Sequence, residues 1–330
     1  MALASLRAAA AAWAACCTVL VCAQTPPGDA ASDYPNKPIR IVVGFTPGGG
    51  PDITARYLAQ KLTETWRQQV VVDNRPGAGG TVGAHIVARA TADGYTLLSV
   101  SPAHAVAPAI YPRLPYDTLK DLSGISQSAV SRYLLVVAPS LGAKSVAELL
   151  GMARAKPGQL NFSSAGVGSG THFATETFKL AASIDVIHVP FKGIPEALTE
   201  ATTGRVQFFM APIANAIGLV KEGKLLALGV STLKRDPLVP NVPTMAESGV
   251  SGYESSLWFG LLTSAAVPRA IVAKINREVG RILAEPEARS RWAPIGLEPH
   301  ATSPEAFDRL VAAEIDIFTK IARAANIRAN

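Results

Sequence analysis

"FTPGGGPD", residues 45–52, stands between an apolar run and a stretch of helical spacing. The run before it, "IRIVVGF" from Ile39 to Phe45, is β-branched and nearly free of charge, as a buried strand is. After Asp52, apolar residues recur at Ile53, Tyr57, Leu58 and Leu62, which is helical spacing. The glycines therefore occupy a strand-to-helix turn. Such a turn either is merely tight or brings bare backbone N–H groups and a helix N-terminus up to an anion.

The pattern recurs. "NRPGAGGTVGAHIVARA" places Gly77, Gly79, Gly80 and Gly83 after the apolar "QQVVVDN". "SSAGVGSGTHFATETFK" places Gly166, Gly168 and Gly170 after "LNFSSA". Strands that end in glycine turns opening helices point to one shared site, because ligands of open α/β sheets bind outside the carboxyl ends of the strands. The dinucleotide fingerprint fails at each turn, and none carries the Gly-Lys-Ser/Thr of a phosphate loop. Backbone donors and hydroxyls alone, from Thr46, Thr81, Ser169 and Thr171, suit a carboxylate better than a polyphosphate.

Outward from these turns, strands and helices alternate. "YTLLSVS", "RYLLVVAP", "DVIHVPF", "VQFFMAP", "LLALGVS" and "SLWFGLLTSA" read as strands between helical segments. Alternation of this kind predicts an α/β fold with a parallel or mostly parallel sheet covered by helices. The chain of 330 residues is long enough for its core to divide. The two long apolar strands, "RYLLVVAP" and "SLWFGLLTSA", are the natural crossovers between lobes. One lobe is expected at 33–135 plus 255–330 and the other at 136–254.

The first residues, "MALASLRAAAAAWAACCTVLVCAQ", have the single Arg7, an apolar run and a small residue before Gln24. This matches a secretory signal peptide cut after Ala23, with lipidation of Cys22 as the alternative. Every cysteine of the chain, Cys16, Cys17 and Cys22, would leave with it, so the exported protein is expected to hold together without disulfides. Hydrophobic residues at 48% and charged ones at 17% make the chain globular. The net charge of +6 is a mild excess that suits an acidic ligand. It is scattered, without the basic blocks or interleaved aromatics of a nucleic-acid binder.

Enzyme signatures are weak. Val167 stands at the first glycine position of G-x-S-x-G around Ser169, so no nucleophile elbow forms. The histidines show no metal-ligand spacing. His172 falls in the first turn of a helix that opens from a glycine loop, where it either lines a site or is structural. Asp52 sits where a helix cap would, and Lys192 follows a strand as either a solvated or a site lysine. No metal and no cofactor are expected.

Taken together, "PIRIVVGFTPGGGPDITAR", "VVVDNRPGAGGTVGA", "ADGYTLL", "GVGSGTHFATETFK", "IHVPFKGIPEALTEATTGRV" and "VPTMAESGV" resemble the Bug family. These are extracytoplasmic solute-binding receptors related to those of tripartite tricarboxylate transporters. The resemblance runs from about Tyr34 to the C-terminus, with the motifs in order. It implies a two-lobed fold of the type II periplasmic-binding-protein kind, with a small carboxylate in the cleft between lobes. It also implies hinge closure, a membrane transporter or a sensor as partner, and a periplasmic, monomeric protein. Ligand contacts are expected from Phe45, Thr46, Gly48, Gly49 and Asp52 on the first loop and from Gly79, Gly80 and Thr81 on the second. Ser169, Gly170, Thr171 and His172 would join from the third, with Ser101, Lys192 and Ala211 nearby.

The chain departs from the family's pattern in two places. Lys192-Gly193-Ile194-Pro195 replaces a Lys-Gly-Gly-Gly-Pro run, and Met210-Ala211-Pro212 stands where members often have Phe-Asp-Asn. A ligand ammonium in a dry cleft needs a carboxylate or several carbonyls. The ligand is therefore expected to lack an amino group, unless Glu176 or Glu196 supplies the missing acid. A hydrolase or isomerase on the same fold is the competing reading, and it requires a titratable residue with a partner in the cleft.

Overall fold

The computed structural model describes residues 32–329, so the expected export segment, residues 1–23, lies outside the described residues. The first half of the sheet opens with β1 (Ile39–Val43), α1 (Gly50–Trp66), β2 (Val70–Asn74), α2 (Thr81–Ala88), β3 (Thr96–Val100) and α3 (Ala103–Ile110). A long β4 (Leu122–Val137) then leads into α4 (Val146–Ala155), β5 (Asn161–Ser164), α5 (Gly170–Ala182), β6 (Ile187–Pro190) and α6 (Ile194–Thr202). After β7 (Phe208–Pro212), α7 (Ile213–Lys221) and β8 (Leu226–Val230), the chain returns through β9 (Ser256–Ser264). It ends in α8 (Arg269–Ala284), α9 (Pro286–Trp292), β10 (Glu298–Pro299) and α10 (Pro304–Ala324).

These strands run in the order β2-β1-β3-β9-β4-β7-β5-β6, with β8 and β10 also pairing on β4. The sheet is mixed, not mostly parallel as the alternation predicts. β1 pairs in parallel with β2 and β3, and β5 with β6 and β7. The returning β9 runs antiparallel to β3 and β4, and β7 and β8 run antiparallel to β4. The antiparallel strands are those that join the two halves, and a local β-α alternation carries no signal for them.

β4 is the member common to both halves. From Leu122 to Arg132 it pairs with β9; from Tyr133 to Val137 it pairs with β7, and from Leu134 with β8. It begins at Leu122, well before the apolar run at Arg132 that marks it in the sequence. The earlier part, "LSGISQSAVS", has small polar residues that are nevertheless buried, among them Ser123, Ser126 and Ser128. Past the change of partner, Leu135 and Val137 join one core cluster while Leu134 and Val136 join another, because alternate strand residues point to opposite faces. Two α/β lobes thus share crossing strands, which is the type II periplasmic-binding-protein architecture.

Candidate functional site

Residues at or just past the carboxyl ends of β1, β3, β5, β6 and β7 line one cleft, and α1, α5, α6 and α7 begin there. α1 opens at Gly49 and Gly50, α5 at Ser169 and Gly170, α6 at Gly193 and Ile194, and α7 at Pro212. Residues from each of these starts line an inner slot, α6 and α7 contributing one each, Ile194 and Pro212. The first N–H groups of a helix have no carbonyl of their own to meet, and the helix dipole adds positive potential there. Gly50, Gly170 and Thr171 bring backbone amides to the slot lining, Pro51 and Pro212 having none to give, and no cation lies among its side chains. Its side chains are Phe45, Thr46, Pro51, Ser101, Tyr133, Ala165, Ser169, Thr171, Ile194, Pro212, Leu257 and Phe259, none of them charged.

Ser169 and Thr171 organise the third glycine loop. Ser169 caps α5, its Oγ accepting from the His172 amide at 3.2 Å. Thr171 Oγ1 lies 3.0 Å from Ser169 Oγ and accepts from the Ala165 amide at 3.0 Å. Tyr133 is 1% exposed, and its Oη lies 2.7 Å from the point where a Gly170 methyl would stand. Only glycine leaves room for that hydroxyl at the helix start. Thr46 brings the opposite wall: its Oγ1 is buried and has no protein partner.

Asp52 lies beneath the first loop instead of in the slot. Its Oδ2 accepts from the Gly48 amide and from Arg56 Nε, both at 2.9 Å, and its Oδ1 accepts from Asn74 Nδ2 at 2.9 Å. Burial alone would raise its pKa, but the hydrogen bonds from Arg56, Gly48 and Asn74 outweigh that and hold it below the ordinary value. The same Asn74 amide donates to the Phe45 carbonyl at 3.1 Å, so one knot fixes the loop from both ends.

The other expected residues fall into separate places. Lys192 lies at a wide outer mouth of about 820 Å³, with Gly79, Phe191 and Glu196, and is exposed. Gly80 and Thr81 line a small chamber behind Phe45, and Thr81 Oγ1 donates to the Ala78 carbonyl at 3.0 Å. His172 lies under its loop, its Nδ1 accepting from the Gly168 amide at 3.3 Å. Ala211 is buried in the core, and its neighbour Pro212 reaches the slot. Glu176 is bound to Lys179 at 3.0 Å, away from the slot. Tyr133, Ile194, Pro212, Leu257 and Phe259 were not foreseen as slot residues. Ile194 and Pro212 fall within the two segments where the chain departs from the family pattern, whereas Tyr133, Leu257 and Phe259 arrive on the crossing strands, where no local motif marks them.

The two lobes touch across the cleft. Asn215, in the first turn of α7, donates from Nδ2 to the Gly48 carbonyl at 2.7 Å. A methyl on Gly79 would stand 2.9 Å from the Val167 carbonyl, and one on Gly193 would overlap Thr46 Oγ1. The sequence profile described as "Tripartite tricarboxylate transporter family receptor" matches residues 54–327. The chain belongs to this receptor family.

BugT of Bordetella pertussis is 33% identical to this receptor over 295 residues, covering 89% of this chain and 90% of that one. Among solved structures, R. palustris Rpa4515 with adipate superposes with a TM-score of 0.86 at 35% identity, covering 90% of this chain and 99% of that one. MatC from Rhodopseudomonas palustris with bound malate gives a TM-score of 0.82 at 31% identity, covering 87% and 99%. No helix among the described residues is long and apolar enough to cross a membrane.

Behind the third loop, this receptor stacks two histidines. The rings of His172 and His188 lie 3.8 Å apart at 10°. His188 Nε2 is 2.6 Å from Ser164 Oγ, which accepts from the Gly166 amide at 3.0 Å. Burial, with smaller contributions from His172 and Lys179, holds the pKa of His188 down to about 3. The pair is therefore a fixed support for the loop at neutral pH, with His188 uncharged.

Proposed function

We propose that this receptor captures a small carboxylate without an amino group by closing its two lobes on it. The observation that carries the reading is the uncharged slot on which helix N-termini converge and to which Thr46 brings a buried hydroxyl with no protein partner. A carboxylate accepts hydrogen bonds and favours the positive end of a helix. An ammonium would find no carboxylate among the slot side chains, and an unpaired buried charge is costly. Apolar walls from Phe45, Ile194, Leu257 and Phe259 suit an apolar or aromatic body. The adipate of Rpa4515 and the malate of MatC are both carboxylates without an amino group, which supports the reading.

The lobes of this proposal are residues 33–135 with 255–330, and 136–254, hinged where β4 changes partners. Contacts to the ligand come from Phe45, Thr46, Gly49, Ser101, Ser169, Gly170 and Thr171, with Tyr133 added and with Lys192 at the mouth. The protein works as a periplasmic monomer that hands its ligand to a membrane transporter. The family's receptors, and the ligand-bound neighbours Rpa4515 and MatC, support binding as the role of the slot.

A thermal-shift screen tests this. Adipate, malate and other amino-free mono- and dicarboxylates are compared with aspartate and glutamate. A ligand at 100 times its Kd adds about 2.7 kcal/mol of stability. Amino-free acids are expected to raise the melting temperature and the amino acids to leave it unchanged. A shift produced by the amino acids alone would overturn the proposal.

A further inference from the structure

Behind the third glycine loop, α5 carries His172, Glu176 and Lys179 on one face, at successive spacings of four and three residues. His172 is 3% exposed and Glu176 4%. A carboxylate so deeply buried is costly unless charges or donors meet it. Two groups meet this one. Lys179 Nζ lies 3.0 Å from it, and His172 Nε2 lies 3.7 Å from its Oε1. Burial alone would raise the pKa of Glu176, but His172 and Lys179 outweigh it and hold it below the ordinary value. The side chain is thus a carboxylate at neutral pH, and it stands outside the slot lining.

We propose that Glu176 is a positioning residue of the binding site: it fixes the tautomer of His172 and, through that ring, the third glycine loop. The opposite edge of the His172 ring sets the requirement. Its Nδ1 accepts from the Gly168 amide at 3.3 Å. A ring nitrogen that accepts carries no proton, so the ring's proton belongs on Nε2, the nitrogen that faces Glu176. A carboxylate only accepts, and it favours a ring N–H pointing at it over a bare lone pair. With the proton on Nδ1 instead, two N–H groups would meet at Gly168 and a lone pair would meet the carboxylate. Glu176 and Gly168 therefore select the same form of the ring from its two sides.

The ring's hold on Gly168 reaches the slot. His188, stacked on His172, supports Gly166 through Ser164, while His172 supports Gly168. The two rings thus secure Val167 from either side, and its carbonyl is the atom that Gly79 approaches across the cleft. Immediately beyond Gly168, Ser169, Gly170 and Thr171 line the slot. A proton moved from Nε2 to Nδ1 would free the Gly168 amide and loosen the loop at the point where it enters the slot.

The ligand-free protein gives the first test. Nitrogen-15 spectra of the histidine rings report which nitrogen carries the proton. Wild-type His172 is expected to show Nε2 protonated and Nδ1 bare. Glu176→Leu is expected to move the proton wholly or partly to Nδ1 and to speed hydrogen exchange at the Gly168 amide. Glu176→Gln, which keeps an acceptor oxygen, is expected to leave both near the wild-type result. A proton on Nδ1 in the wild type would overturn the proposal, and that measurement needs no variant to fold. A leucine variant with the ring proton and the Gly168 exchange unmoved would overturn it as well. The effect on affinity rests on the carboxylate function proposed above and is measured with adipate. The leucine variant should bind it roughly 3- to 10-fold more weakly, about the effect of one hydrogen bond; affinity equal to the wild type would overturn the positioning role. Wild-type protein that binds no adipate would count against the proposed ligand class, and the ring proton and Gly168 exchange would then decide the role of Glu176 by themselves.

Discussion

Gly193 faces Thr46 across the cleft with no room for a side chain. Its backbone is extended, with φ near −171°, so any residue could adopt the conformation and only space demands glycine. The contact joins a residue of the first lobe to one of the second, and so it exists only when the lobes are together. Gly193→Ala should therefore leave the melting temperature of the ligand-free protein nearly unchanged while weakening ligand binding. Overpacking of this kind costs about 1–3 kcal/mol, or roughly 5- to 150-fold in Kd. Calorimetric titration beside a melting curve checks it; an equal loss of ligand-free stability would place the clash within one lobe. At this scale the glycine turns were legible because a strand, a glycine cluster and a helix are adjacent in sequence. The task of Asp52 was not, because Asn74 and Arg56 meet it only in the folded chain. Nor was that of Ala211, whose side of β7 faces the core while Pro212 reaches the slot.

The elements behind the third loop bind its geometry to pH. β5 and β6 pair in parallel, and α5 lays His172 over His188. An ordinary histidine titrates near 6.5; burial first, then His172 and Lys179, takes His188 to about 3, and burial takes His104 to about 4. Below pH 6.5 the unfolded chain gains protons at these sites while the folded one does not. Their stabilising effect is complete above pH 6.5 and is lost as pH falls towards 4 and then 3. By pH 5 each should cost about 2 kcal/mol. Urea midpoints are expected to fall steadily from pH 6.5 to 5, above the range where Asp52 and Glu176 protonate. His188→Gln keeps a partner for Ser164 and should roughly halve that slope; an unchanged slope would count against the assignment. The helices and the parallel strands of this unit were readable from local periodicity. The antiparallel β4 start and the stacked rings were not, because small polar residues carry no strand signal and stacking is a long-range event.

For the molecule as a whole, the seam from Gly48 to Asn215 and from Thr46 to Gly193 describes lobes brought together. A ligand favours that state only through contacts that the separated lobes cannot both make. The slot supplies them, with Thr46 on one lobe and the start of α5 on the other. Two lobes could be expected from the length of the chain and its two long apolar strands. That the slot would carry no charge could not, since its lining is gathered from both halves. The direct test is a crystal structure with the tightest-binding carboxylate from the screen. The account predicts a carboxylate oxygen within hydrogen-bond distance of Thr46 Oγ1 and of the amides of Gly170 and Thr171, with the apolar body against Phe45 and Phe259. A ligand with no carboxylate in the slot, its apolar part there instead and Thr46 Oγ1 still without a partner, would contradict it.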